Sequence, residues 1–420
     1  MTARAAPVVE GDRLAPLDAL RGFAVLGILV MNVQLFAMPN AAYMNPTAYG
    51  DLRGANWWTW LLSRVLADQK FMTIFSMLFG AGIVLMSSRV AARGDSPARL
   101  HYRRMGGLLL FGLAHAYLLW YGDILTLYAL CGLLVYPARK LSPRALLALG
   151  VVVIAVGSGI SLLGGWSFPT WSDADVADFA ADWQPSAERL GRELAAYRGG
   201  WTMQMPLRAE ASFEFESFEI WVWGLWRAGG LMLLGMALFK LGVLDGRRSR
   251  AFYSALAVAG LLVGLPLIAY GVHRDLAARW DMRYSLFFGE QFNYWGSLLV
   301  GLAYVGLVML ACRAGVLPGL TRRLEAVGRL AFTNYLLQTI LCTAVFYGQG
   351  LGLFGRVPRI AQIGVVAFVW AVQLALSPVW LRHFQLGPFE WLWRALTYGA
   401  WPALRRRSPD LALPAAVAGH

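Results

Sequence analysis

Runs of about 20 apolar residues recur along the whole chain, separated by short segments rich in Arg, Gly and Pro. A helix needs about 20 such residues to cross the hydrocarbon core of a bilayer. The pattern therefore predicts an all-α, polytopic membrane helix bundle with about ten transmembrane helices. The predicted spans are residues 17–38, 70–88, 105–121, 122–137, 145–165, 218–241, 251–272, 292–312, 330–350 and 359–381.

Composition and charge place the chain in the same class. Of its 420 residues 58% are hydrophobic and 15% are charged, and the mean hydropathy of +0.53 excludes an ordinary soluble domain. The net charge of +13 has the sign that nucleic-acid binding needs. However, most Arg and Lys residues fall in alternate segments between spans, as the positive-inside rule requires. We therefore expect both termini in the cytoplasm and no nucleic-acid partner.

The spans predict one transmembrane domain over residues 1–420 with three polar additions. Residues 166–217 are acidic and contain Trp, which is typical of an extracytoplasmic cap loop. Residues 387–399 predict an amphipathic helix on the cytoplasmic side, and 400–420 a flexible basic tail. Residues 57–69 are compatible with either an interfacial helix or a re-entrant piece, and the sequence leaves both open.

Standard catalytic and metal-binding signatures are absent from the sequence. No His, Cys or carboxylate residues have the spacing of metal ligands, so we expect no metal. Walker and GxSxG motifs are also missing, and no βαβ pattern is present to carry a Rossmann signature. Cys131, Cys312 and Cys342 each lie in an apolar run, as small core residues do. Any chemistry must therefore use polar side chains inside the membrane.

The first span contains three such side chains. Asp18 precedes Arg21 by three residues, close enough for an ion pair on one helix. Asn32 follows Arg21 by 11 residues, which returns it to nearly the same helix face. Lipid does not solvate a polar stripe, so this face should meet protein or a water-filled cavity.

His115 is the candidate general base, because imidazole titrates near neutral pH and a carboxylate tunes it. Asp123 follows eight residues later, about 80° around a continuous helix and ~12 Å along it. The two side chains would meet only if the hairpin between the third and fourth spans breaks the helix. The alternatives are a core histidine bonded to a neighbouring helix and an ordinary interfacial acid.

Further polar groups lie at the start of the ninth span and before the third. Asn334 and Gln338, four residues apart, share a helix face. They are expected either to hydrogen-bond across helices or to line a substrate tunnel. Arg329 near the inner surface, together with Arg103 and Arg104, provides cations for an anionic ligand.

Five motifs in order resemble the YeiB-like family of bacterial inner-membrane proteins, a domain of unknown function. They are LDALRGFAVLGILVMN, KFMTIFSMLFGAG, RRMGGLLLFGLAHAYLLWYGDIL, GRLAFTNYLLQT and GPFEWLWRALTYG. The resemblance covers residues 17 to 399 and implies a multi-pass protein of the bacterial inner (cytoplasmic) membrane.

The LDALRG stretch also distantly resembles the first helix of transmembrane acyltransferases. In the O-antigen type an essential His follows the Arg of this motif by 11 residues, and here that position is Asn32. The heparan-glucosaminide N-acetyltransferase type is similar to this chain in having Asn at that spacing. This departure puts His chemistry on the first helix in doubt, so the base would come from another helix.

The resemblance implies transfer of an acyl group from cytoplasmic acyl-CoA, the expected donor, to an extracytoplasmic hydroxyl or amine acceptor. The acceptor would be a glycan or a small metabolite. The expected catalytic residues are His115, Asp123 and Asn32. The expected substrate-binding residues are Asp18, Arg21, Arg103, Arg104, Arg329, Asn334 and Gln338.

Two other functions stay open. The first is a transporter or flippase for a small molecule or lipid without acyl-transfer chemistry, and the second is a membrane scaffold. Membrane lipids are expected partners in each case. The sequence also leaves open whether the chain forms a homo-oligomer.

Overall fold

The computed structural model describes residues 14–406, which form helices and connecting loops, with no β-strand in that range. The prediction of an all-α membrane helix bundle is confirmed. Within the described residues, seven helical segments are long and apolar enough to cross a membrane: Ala15–Ala37, Gly54–Ala92, Pro143–Thr170, Trp201–Lys240, Arg250–Ala277, Tyr284–Ala314 and Arg359–His383.

The α-helices of residues 14–406 are numbered in chain order. The first nine are α1 (Ala15–Ala37), α2 (Ala41–Met44), α3 (Gly54–Leu66), α4 (Lys70–Ala92), α5 (Pro97–Leu118), α6 (Leu125–Val135), α7 (Pro143–Ser167), α8 (Asp173–Trp183) and α9 (Ala187–Arg198). The others are α10 (Trp201–Glu214), α11 (Leu225–Lys240), α12 (Arg250–Ala277), α13 (Glu290–Ala314), α14 (Pro318–Arg329), α15 (Ala331–Phe346), α16 (Arg359–His383) and α17 (Pro388–Tyr398). Two π-helical segments, Phe215–Gly224 and Tyr284–Gly289, lead into α11 and α13.

Each of the ten predicted spans coincides with a helix, but the predicted bounds 105–121 and 122–137 are wrong. The helix α5 begins eight residues earlier, at Pro97, because the Ser96 side chain caps it by accepting from the Arg99 backbone N–H. Its first turns are basic and therefore fall outside an apolar run. The helix α6 has only 11 residues, since the chain turns before it instead of continuing α5.

The bundle has two distinct ends. We call the end that carries α8, α9 and α10 the cap end; these helices occupy the predicted cap loop of residues 166–217. We call the end where α1 begins the basic end; there α14 packs against α1, and α17 packs against α5 and α15. Of the predicted basic tail, residues 407–420 lie outside the described residues.

The amphipathic helix α17 fixes the start of α15. The Glu390 carboxylate accepts from the backbone N–H groups of Phe332 (2.8 Å) and Thr333 (3.1 Å), and from the Thr333 hydroxyl. A carboxylate at a helix N-terminus satisfies unpaired donors and interacts favourably with the helix dipole. This contact sets the position of α15, on which three polar residues of the site region lie.

Glycines bring two pairs of helices into direct backbone contact. A Cβ atom on Gly80 of α4 would lie 1.9 Å from the Met232 carbonyl oxygen, and one on Gly235 of α11 would lie 1.9 Å from that of Met77. Small residues allow such approach, which membrane helices use in place of a hydrophobic driving force. The helices α1 and α14 meet in the same way at Gly22 and Gly328.

Replacing Gly235 with Ala should destabilise the protein, because the added methyl group meets a carbonyl oxygen of α4. Overpacking of this kind costs about 1–3 kcal/mol. We expect a lower Tm for detergent-solubilised Gly235→Ala, followed by tryptophan fluorescence. The control is Gly82→Ala on α4, where the new Cβ meets nothing within 4 Å. An unchanged Tm for Gly235→Ala would contradict the close crossing.

Candidate functional site

The helix α5 ends inside the bundle, and His115 lies in its last turn. The His115 carbonyl oxygen accepts from the backbone N–H groups of Leu119 (3.0 Å) and Trp120 (2.9 Å), where the chain leaves the helix. The turn then leads into α6 at Leu125. The hairpin therefore breaks the helix, which is the condition under which Asp123 can reach His115.

His115 is hydrogen-bonded on both ring nitrogens. Its Nδ1 lies 2.8 Å from Asp123 Oδ1, and its Nε2 lies 2.9 Å from Thr339 Oγ1 of α15. The other carboxylate oxygen of Asp123 accepts from the Thr126 backbone N–H at 2.7 Å, at the start of α6. Only 1% of the His115 side chain and 2% of that of Asp123 are exposed. One carboxylate thus both caps α6 and orients the imidazole.

Aromatic rings pack around this group. The Tyr335 ring of α15 lies 5.3 Å from the imidazole, and its hydroxyl accepts from the Ile124 backbone N–H at 3.3 Å. The Trp120 ring lies 6.2 Å from the imidazole and stacks on Phe36 of α1 at 4.0 Å. Tyr335 therefore ties the turn to α15, and Trp120 ties it to α1.

The helix α10 covers the end of α5. The Leu118 carbonyl oxygen accepts from Trp201 Nε1 (2.7 Å) and Arg208 Nη1 (2.8 Å), and the Ala116 carbonyl oxygen accepts from Ser212 Oγ (3.1 Å). The last carbonyl groups of a helix have no partner within it, so a buried helix end needs such donors. The predicted cap segment thereby closes the turn that carries His115 and Asp123.

The polar residues of α1 lie apart from this group. Asp18 and Arg21 form an ion pair at 2.7 Å near the basic end. Asn32 is partly buried, and its side chain makes no hydrogen bond with the described residues. Asn32 was predicted to be catalytic, but its side chain is not hydrogen-bonded to His115.

Asn334 and Gln338 bond to neighbouring helices. Asn334 Nδ2 donates to the Val327 carbonyl oxygen of α14 and to Ser377 Oγ of α16, both at 3.1 Å. Gln338 Nε2 donates to the Val25 carbonyl oxygen of α1 at 3.0 Å and to Gln373 Oε1 at 3.1 Å. Of the two roles expected for Asn334 and Gln338, these contacts correspond to interhelical hydrogen bonding.

The three arginines predicted to bind phosphate lie at the basic end, but on two surfaces. Arg103 Nη2 donates to the Leu396 carbonyl oxygen of α17 (3.3 Å), and the Arg104 guanidinium lies 4.8 Å from the Trp393 ring. Arg329 lines a groove of about 260 Å³ between α14 and α16. The other charged residues of the groove are Arg322, Glu325, Arg382 and Arg406.

In residues 14–406 no three His, Cys, Asp or Glu side chains are grouped to hold a metal ion.

A second buried polar cluster lies where α3 passes into α4. Arg64 pairs with both Asp68 and Glu290, and Asn293 Nδ2 donates to Asp68 Oδ2 at 2.9 Å. Lys70 Nζ donates to Asn293 Oδ1 at 2.6 Å and to the Arg64 carbonyl oxygen at 2.8 Å. We call these five residues the ionic cluster. The charged residues at positions 64, 68 and 70 are visible as a group in the sequence. Nothing in the sequence indicated that Glu290 and Asn293 of α13 would be their partners.

Arg227 of α11 extends the polar region deeper into the bundle. Its Nη2 donates to Thr73 Oγ1 (3.1 Å) and Ser297 Oγ (2.6 Å), and its guanidinium lies 4.5 Å from the centre of the Tyr294 ring. Thr73 is one turn beyond Lys70 on α4, and Ser297 one turn beyond Asn293 on α13. Polar groups thus continue along the contact between these helices.

Comparison with known proteins identifies the relatives of the chain. The model of a family described as "Protein of unknown function (DUF418)" matches residues 238–400. YeiB of Escherichia coli is 34% identical over 409 residues, which cover 94% of this chain and all of YeiB. The chain belongs to the YeiB family. YxaH of Bacillus subtilis is 30% identical, with 96% of this chain and 98% of YxaH aligned.

A third relative, the 39.9 kDa protein from the 3′ region of an amylase gene of Bacillus acidopullulyticus, is 27% identical over 96% of this chain and 99% of its own. Similarity to the YeiB family therefore extends over nearly the whole bundle, including α1 and the α5–α6 hairpin. The matched DUF418 region, in contrast, begins near the end of α11. None of the three names states an activity.

Replacing Asp68 with Asn should destabilise the protein strongly, because it leaves the buried Lys70 and the mostly buried Arg64 with Glu290 as the one remaining carboxylate of the ionic cluster. Removing one partner of a buried ion pair costs about 3–5 kcal/mol. We expect a large fall in the Tm of detergent-solubilised protein.

The matched control is Asp182→Asn, which removes the exposed pair with Arg189, where both side chains are about half exposed. Such surface pairs contribute about 0–1 kcal/mol. Equal Tm values for the two variants would argue against a stabilising role of the ionic cluster.

Proposed function

We propose that this protein is a transmembrane acyltransferase of the bacterial inner membrane. It would move an acyl group from cytoplasmic acyl-CoA to an extracytoplasmic hydroxyl or amine of a glycan or small metabolite. The observation that supports this function is the buried hydrogen-bonded chain from Asp123 through His115 to Thr339. A base oriented by a carboxylate and bonded to a hydroxyl is the arrangement that acyl transfer uses.

The proposed chemistry follows from the different partners of the two ring nitrogens of His115. Asp123 accepts at Nδ1 and thereby fixes the ring and stabilises the imidazolium that forms when Nε2 takes a proton. His115 then acts as general base toward the acceptor and as general acid toward the departing thiol. The imidazole itself as acyl carrier is the other route open to this residue.

The donor would bind at the basic end, which this proposal assigns to the cytoplasm, with both termini on that side. Its phosphates suit the arginines of the groove that includes Arg329, since guanidinium groups bind phosphate in a fixed fork geometry. The cap end would then face outward and receive the acceptor.

Asn32, whose amide makes no hydrogen bond with the described residues, is a candidate hydrogen-bond donor to the developing oxyanion.

Removing the base should abolish the reaction. Purified full-length protein in nanodiscs, given acetyl-CoA and a panel of sugar and amine acceptors, should release thiol and label an acceptor. We expect His115→Ala to slow both at least about 10²-fold, the usual contribution of a general base. His273→Ala, which changes an exposed histidine of α12, should leave both rates unchanged.

Two results would contradict the proposal. A His115→Ala protein that reacts as fast as the parent removes the catalytic assignment. A parent protein that releases no thiol from acetyl-, butyryl- or palmitoyl-CoA with any acceptor removes the acyltransferase function itself.

Transport without chemistry is the second candidate function, and the ionic cluster favours it. The chain between α3 and α4 is interrupted at Gln69, which has a φ of +62°, and charged groups flank the break. Transporters build binding sites at such breaks in membrane helices. In this case the parent protein in reconstituted vesicles would take up a substrate, and His115→Ala would leave that uptake intact.

A further inference from the structure

The direction of the hydrogen bond between His115 and Thr339 follows from donor and acceptor chemistry. A neutral imidazole carries one proton, and a carboxylate only accepts. In the neutral form the proton therefore lies on Nδ1, facing Asp123 Oδ1 at 2.8 Å. Nε2 is then an acceptor, so the Thr339 hydroxyl donates to it across 2.9 Å. The hydroxyl proton of Thr339 already points at the base that would remove it.

We propose that Thr339 is the nucleophile of this site and holds the acyl group as an ester between donor and acceptor. The inference rests on the proposed acyltransferase function and specifies its covalent intermediate. Carboxylate, imidazole and hydroxyl stand in the order and at the spacing of the Ser-His-Asp arrangement. Threonine hydroxyls serve as nucleophiles when a base is adjacent.

Neighbouring contacts leave the Thr339 hydroxyl available for this role. One turn further along α15, the Thr343 hydroxyl donates to backbone carbonyl oxygens of its own helix, those of Thr339 (2.8 Å) and Ile340 (3.2 Å). The Thr339 hydroxyl instead bonds to His115, which is 224 positions away in the chain. The two threonines thus differ in the partner of the hydroxyl, which provides a matched control.

A donor for the developing oxyanion lies in the same group. The Trp120 side chain is only 1% exposed, and its Nε1–H has no hydrogen-bond acceptor among the described residues. A buried N–H without a partner is costly, so it is expected to meet an acceptor in some state of the protein. The centre of its ring lies 6.2 Å from that of the His115 imidazole, which itself bonds to Thr339, and we infer that an oxyanion formed at Thr339 is this acceptor.

The proposed reaction has two balanced halves. In the first, Thr339 Oγ1 attacks the thioester carbonyl, its proton passes to His115 Nε2, the C–S bond breaks, and the proton leaves on the thiol. In the second, the acceptor hydroxyl or amine gives its proton to His115 and attacks the threonyl ester. The C–Oγ1 bond then breaks, and Thr339 regains its proton.

Burial of the site suits such an intermediate. Thr339 is 1% exposed, and α10 covers the end of α5 through Trp201, Arg208 and Ser212. Exclusion of water protects a reactive acyl ester from hydrolysis until the acceptor arrives. The same cap would have to open for the acceptor to enter.

The test is to trap the intermediate. Full-length protein in nanodiscs is mixed with acetyl-CoA without acceptor, quenched in acid, digested with trypsin, and analysed by fragmentation mass spectrometry of residues 330–356. We expect one acetyl group on Thr339 that survives neutral hydroxylamine, as an oxygen ester does. Thr339→Cys should instead carry a hydroxylamine-labile thioester. A Cys342→Ser background excludes acylation of the nearby thiol.

Rates in the variants supply the second readout. Thr339→Val should lower thiol release by roughly 10³-fold or more, as loss of a nucleophile does. Thr339→Ser should stay within about tenfold, since it keeps the hydroxyl. Thr343→Val should form the ester at the parental rate. Trp120→Phe should slow ester formation about 10²-fold, the usual effect of losing an oxyanion donor. Tm values near that of the parent confirm that each variant folds.

The outcomes separate this inference from the function on which it rests. Thr339→Val protein that folds, forms no adduct and still transfers the acyl group at the parental rate overturns the nucleophile while the acyltransferase stands. An acetyl label that neutral hydroxylamine releases from the Cys342→Ser protein, and that His115→Ala abolishes while Thr339→Val keeps it, indicates an acyl-imidazole on His115 and overturns it too. Parent protein that neither forms an adduct nor releases thiol overturns both.

Discussion

The arrangement of the cap end depends on one constraint, the need to satisfy the carbonyl groups of a helix that ends inside an apolar bundle. Backbone polar groups without partners cost several kcal/mol each in such surroundings. At the end of α5 the N–H groups of Leu119 and Trp120 close on His115, and three side chains of α10 bind the carbonyls of Ala116 and Leu118. Hairpin, cap and candidate site therefore form one unit, and none of them can be repositioned without the others.

Asp123 shows how this unit combines folding with chemistry. One of its carboxylate oxygens caps α6 and the other binds His115. A buried carboxylate is expensive unless hydrogen bonds compensate it, and here a backbone N–H and an imidazole do so. The residue that begins α6 is thus the one that orients the ring, so the position of the imidazole is set by the same geometry that sets the hairpin. Glu390 plays the corresponding part at the basic end, where it fixes the start of α15 and with it the height of Thr339 in the bundle.

The sequence was sufficient to predict the helices and to select His115 and Asp123 as candidate site residues. It did not indicate which residues of other helices contact the site. Apolar runs mark helices because each span must be long and apolar, but the basic start of α5 carries no such signal and was missed. The contact between His115 and Asp123 requires the helix to end between them. The sequence GDIL at residues 122–125 does not by itself predict that the helix ends there. Thr339 and Glu290 were not predicted, because each meets its partner across more than 200 residues of chain. Such pairings are set by helix packing, which no local spacing encodes.

The packing also bears on how the molecule can move. Alternating access requires one group of helices to slide or rock against another. Here α4 and α11 touch at the backbone through Gly80 and Gly235, and α1 and α14 do so through Gly22 and Gly328, so sliding within either pair would bring backbone atoms into collision. Separating α15 from α1 and α16 would break the buried hydrogen bonds of Gln338. Entry of a small molecule at the cap end would require α10 to leave the end of α5, and it would therefore disturb hairpin, cap and candidate site together. These contacts therefore oppose a rearrangement of the whole bundle.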